Sequence, residues 1–158
     1  MKSILICLML GVSLFMGYGK DAKTFDRIQD VFKESCCIEV IIDNSSKEYK
    51  KQSQEYNKIL DEFQNMIDGS RQMPAFGVSL DNETKQAIKS GVWIKFCFDF
   101  VGYNSEMPFD TLLIQVDGEY RGFNIIRGNN NLYEGRCFYL DLNCNMQSLY
   151  KIVKSDVF

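Results

Sequence analysis

The chemistry open to this sequence is bounded first by a residue it lacks. None of its 158 residues is His, which removes imidazole as a general base, as the partner of a Ser or Cys nucleophile, and as a zinc ligand. Carboxylates then remain as the acid-base groups for catalysis. Asp99, Asp110, Asp117, Glu119, Glu134 and Asp141 stand at or near expected strand ends, and glycoside hydrolysis needs only two carboxyl groups about 5 to 9.5 Å apart. Acids beside turns are more often solvated turn formers, so no catalytic residue is assigned. A small carboxylate-dependent hydrolase or carbohydrate-binding protein, with Trp93, Tyr103, Tyr120 and Tyr133 as ring platforms, is the alternative reading of function.

The six cysteines are Cys7, Cys36, Cys37, Cys97, Cys137 and Cys144. No CxxC occurs, and the spacings match neither a zinc nor an iron-sulfur framework. No metal and no cofactor is expected. The vicinal pair Cys36-Cys37 does not readily close on itself, because the ring strains the peptide between them. These thiols read as small buried hydrophobes.

Arg121, Arg127 and Arg136 fall on adjacent expected strands around the turn at 128–131. Its backbone N–H groups and the three guanidinium groups together offer an anion site for phosphate or carboxylate. The competing reading pairs the same arginines with Glu119, Glu134 and Asp141 across the sheet.

The elements that must position these groups follow from periodicity. Phe25, Ile28, Phe32 and Ser35 recur at helical steps over 24–35, with Thr24 as a cap. A β-branched run at 38–42 predicts a strand. A long helix is predicted at about 46–68, carrying Tyr49, Tyr56, Ile59, Phe63 and Met66 on one face and ended by Gly69. Pro74 makes 71–76 an extended connection, with at most a short edge strand at 77–80. A brief helix follows at 81–89. Strands are then predicted at 92–100, 111–116, 121–127 and 136–142. In the second hairpin, pairing Val116 with Arg121 keeps one apolar face. Asn145 caps a last helix. The fold class is therefore α+β: an antiparallel four-strand meander, about residues 92–142, packed with an N-terminal helix, the long helix and a C-terminal helix.

Composition fits one globular domain, with 46% hydrophobic and 25% charged residues. Eighteen Lys plus Arg against 21 Asp plus Glu give a net charge of -3, so nucleic acid is not an expected partner. Lys2, the apolar run at 4–18 and Gly17-Tyr18-Gly19 form a signal-peptide pattern, too short to span a membrane. Residues 1–19 are expected to be removed, leaving 20–158 as a soluble, exported domain, secreted or periplasmic, with five cysteines and no stable membrane span. Asn44 and Asn82 lie in glycosylation acceptor triplets, which would matter only in a eukaryotic secretory path.

The outward face of the meander would carry Trp93, Lys95, Leu113, Ile126 and Tyr139, more apolar surface than a fully solvated face collects. Either the N-terminal helix covers it or a protein partner does. From these features the expected function is binding another macromolecule, as an inhibitor, immunity-type or accessory factor, without catalysis.

Overall fold

A computed structural model describes residues 25–104 and 106–157. The expected signal segment and Thr24 lie outside the described residues. The chain runs α1 (Ile28–Val31), a 3-10 turn (Phe32–Glu34), β1 (Cys37–Ile42), β2 (Ser45–Lys50), α2 (Gln54–Ile67), β3 (Arg71–Ser79), α3 (Asp81–Ala87), β4 (Val92–Gly102), β5 (Phe109–Val116), β6 (Gly122–Gly128), β7 (Gly135–Asp141) and α4 (Gln147–Lys151), which passes into a π-helical stretch (Ile152–Val157).

All seven strands join one antiparallel sheet in the order β2-β1-β4-β5-β6-β7-β3. This replaces the predicted four-strand meander, since three further strands extend it on both sides. β1 lies antiparallel beside β4, from Cys37 opposite Cys97 to Ile42 opposite Val92. Asp43 and Asn44 both take positive φ, 45° and 69°, and so form a two-residue turn of the kind that suits a hairpin. That turn folds 45–50 back as β2. Residues read as the start of the long helix are therefore an edge strand, and α2 begins only at Gln54. Ser53 caps it, its hydroxyl accepting from the Tyr56 N–H at 3.1 Å.

At the far edge β3 pairs with β7 from Arg71 opposite Asp141 to Ser79 opposite Gly135. Pro74 is tolerated because an edge strand needs ladder bonds on one side only. The register shifts around Ala75 and Gly77, and Gly77 takes φ +72°, so the strand is bulged. The β5–β6 register also differs from expectation. Leu112 faces Arg127 and Leu113 faces Ile126, two residues beyond the predicted pairing, which preserves the inward and outward sets.

The main core lies on one face of the sheet. Val92, Ile94, Phe96 and Phe98 point into it from β4, and Tyr56, Ile59, Phe63, Met66 and Ile67 from α2. The Phe63 ring centroid is 4.6 Å from that of Phe32, 4.8 Å from that of Phe96 and 5.9 Å from that of Phe123. Tyr56 is buried here with its hydroxyl donating to the Ser35 carbonyl at 2.7 Å, which meets the requirement that buried polar groups be bonded. The N-terminal helix is shorter than predicted, and Ile28, Val31 and Phe32 pack into this same main core. It does not cover the second face.

Candidate functional site

α3 is what crosses the second face, because β3 lies at one edge of the sheet and α3 must carry the chain over to β4 near the other. Where it ends, Ile88 packs on a small separate core of Ile41, Trp93, Leu113 and Tyr133. Trp93 donates its indole N–H to the Ser90 carbonyl at 2.8 Å. The start of α3 is tied to the segment before β7: Asp81 accepts from the Tyr133 N–H and from Lys85, each at 2.9 Å. The Lys85 bond comes first in holding the Asp81 carboxyl below its ordinary pKa, with the Tyr133 bond second.

Of the five residues predicted to bind, Trp93 and Leu113 are buried in that small core. Lys95 is half-buried and ion-paired with Glu39 across β1 and β4, both side chains under one quarter exposed. Burial pulls the Lys95 pKa down, but Glu39 and nearby charge hold it above its ordinary value. Ile126 and Tyr139 are half-buried, and Ile126 packs against the edge of that small core. They line a groove of about 230 Å³ together with Trp93, Tyr120 and Asn124. Ile126, Trp93 and Asn124 also line a second groove of about 310 Å³, bounded by Val78, Leu80 and Ala87.

These grooves run toward β3. Phe76 is 54% exposed, Val78 68% and Leu80 57%, and Tyr120 is also exposed. Phe76 and Tyr139 set their ring centroids 6.0 Å apart. From Gln72 to Leu80 no residue is charged. The opposite edge, β2, carries Lys47, Glu48 and Lys50 outward, which is how edges are usually kept from pairing. The sequence reading allowed at most a short edge strand at 77–80, because Pro74 argued against a longer one, and it did not single out the exposed Phe76, Val78 and Leu80.

The three arginines do not converge. Arg121 and Arg127 stand at opposite ends of β6, some six residues or about 20 Å apart along the strand. Arg121 donates to the Asn143 carbonyl at 3.2 Å. Arg127 is buried, donates Nε–H to the Arg136 carbonyl at 2.8 Å, and is held below its ordinary pKa by burial. Arg136 is exposed on β7. The predicted cross-strand pairing does not appear either: Asp141 pairs with Arg71 at 3.5 Å.

Two of the candidate acids accept from main-chain N–H groups. Asp110 accepts from the Asn130 N–H and Asp117 from the Glu119 N–H, at 2.9 and 3.0 Å. Glu134 shares an open cavity with Glu106 and Arg127, and no aromatic ring lines it. Among the described residues no set of Cys, Asp and Glu is arranged to hold a metal ion, and no helix is long and apolar enough to cross a membrane. No protein-family model matches the chain, and no curated protein or solved structure matches it.

Proposed function

We propose that this protein is an exported domain that acts by binding rather than by catalysis, and that it takes an extended, apolar segment of a protein partner alongside β3. The observation that carries this reading is the contrast between the two sheet edges. β2 is charged, whereas β3 exposes Phe76 and Val78, with Leu80 just past its end, beside two grooves lined by Ile126. Pro74 and the bulges leave β3 only short stretches for main-chain hydrogen bonds, so affinity would come chiefly from alternate side chains of the partner segment seated in the grooves. Export rests on the N-terminal pattern of Lys2 and the apolar run.

The test places a photo-crosslinking amino acid at Val78, or at Lys47 on the opposite edge, in protein expressed in its native host. Val78 should give one discrete crosslinked species that Lys47 does not, and Ile126→Asp should abolish it while leaving circular dichroism unchanged. Equal crosslinking from both edges, or none from Val78, would overturn the proposal. The intact mass of the exported protein should correspond to a chain beginning near Lys20.

A further inference from the structure

We propose that Cys37 and Cys97 form a cross-strand disulfide, a covalent tie between β1 and β4 on the second face of the sheet. This goes beyond the binding function and does not depend on it.

The two residues are direct register partners in an antiparallel pair. Residues so placed have Cα atoms about 4.5 to 5.5 Å apart, inside the range of about 4.4 to 6.8 Å that a disulfide spans. Their side chains share a face, because Ile38 and Phe96, the next pair along, point into the main core. All three thiols at this corner, Cys36 included, are half-buried and reachable from solvent. The Cys36 N–H donates to the Cys97 carbonyl at 2.8 Å although Cys37 is the residue in register. This main-chain bond reaches Cys97 from the residue just before β1. Cys36 Sγ lies 3.3 Å from that same carbonyl oxygen. The register gives the vicinal cysteines distinct places: Cys37 lies opposite Cys97, and the Cys36 thiol sits just before the strand against the Cys97 carbonyl and beside Asp99.

The reaction is thiol-disulfide exchange with a small-molecule disulfide. One thiolate attacks it, releasing one small thiol and leaving a mixed disulfide. The second thiolate displaces the other small thiol, so that two protein thiols are oxidised, one external disulfide is reduced, and the two protons given up by the protein end on the two released small thiols. Burial pushes the Cys37 thiol up to about 12, with Cys97 contributing, and Cys36 up to about 11. Exchange is therefore slow at neutral pH.

The test incubates the reduced full chain with oxidised glutathione at pH 8.5, then blocks free thiols with N-ethylmaleimide and maps tryptic peptides. The expected product has lost two hydrogen atoms, joins peptides 34–47 and 96–121, and shows fragment ions that place the link at Cys37 with Cys36 alkylated. Cys36→Ser should form the same link and Cys37→Ser should not. A Cys36 to Cys97 link, a stable glutathione adduct, a dimer through the exposed Cys144, or alkylation of all six thiols would each overturn the proposal. If Cys37→Ser fails to fold, the wild-type link map decides by itself.

Discussion

Leu113→Ala separates a docking surface from a core. Leu113 is fully buried, in register with Lys95 on one side and Ile126 on the other. Truncating a buried Leu to Ala costs about 2 to 5 kcal/mol, more where the surroundings cannot collapse into the cavity. This core contains only four buried residues, and the end of α3 above it is anchored chiefly at its first turn through Asp81. Partial collapse is therefore available, which places the cost near the lower end, about 2 to 3 kcal/mol. For a domain of this size that corresponds to a drop of about 6 to 10 °C in Tm. Urea denaturation followed by tryptophan fluorescence reads the change directly, since Trp93 is the one Trp in the chain and packs in the same cluster. The m-value should stay constant, because the mutation leaves the extent of unfolding unchanged. A loss within about 0.5 kcal/mol, the usual range for surface substitutions, would refute the assignment of this patch to the core and return Leu113 to the binding face.

Two further outcomes follow from the charged and thiol groups on this face. Lys95→Ala leaves Glu39 partly desolvated without its counterion, and its cost should lie between that of an exposed pair and a fully buried one, about 1 to 2 kcal/mol; a double-mutant cycle with Glu39→Ala should show coupling, and strict additivity would argue against the pair. With the cysteines kept reduced, the raised Cys37 pKa means that the folded state holds its proton while the unfolded chain, with an ordinary thiol near 9, has released it. Stability should therefore be intact below pH 9 and fall as pH rises toward about 12, and Cys37→Ser should flatten that slope in urea melts between pH 8.5 and 10.5.

What the sequence revealed of the fold depended on whether an element has one dry face. β4 alternates without interruption, and α2 carries its apolar residues at helical spacing from Tyr56 onward, so both were read correctly in kind. β2 was not, because it buries only Tyr49; with nearly every side chain in water, no period of two is imposed on it, and Asn44, Ser45 and Ser46 are residue types that also favour helix starts. In β3 the bulges around Ala75 and Gly77 break the phase that a strand reading relies on. The apolar character of Trp93, Leu113 and Ile126 was legible as a covered patch. Its cover was not, since α3 is seven residues long and Ile88, just past its end, is what it brings to the small core. The arginines were adjacent by strand but separated along it, a distinction that needs the register.

The strand order has a consequence for the chain as it is being made. Among the described residues β3 pairs with β7 alone, across 56 residues between Ser79 and Gly135. At translation rates of about 5 to 20 residues per second, β3 waits some 3 to 11 s, plus the transit of the ribosomal tunnel, before that partner exists. Throughout this interval Phe76, Val78 and Leu80 sit on a segment with no ladder on either side, the condition under which apolar strands pair with other chains. The same uncharged stretch that is proposed to receive a partner segment is thus, in the nascent polypeptide, an apolar strand that a chaperone would have to shield until β7 is made.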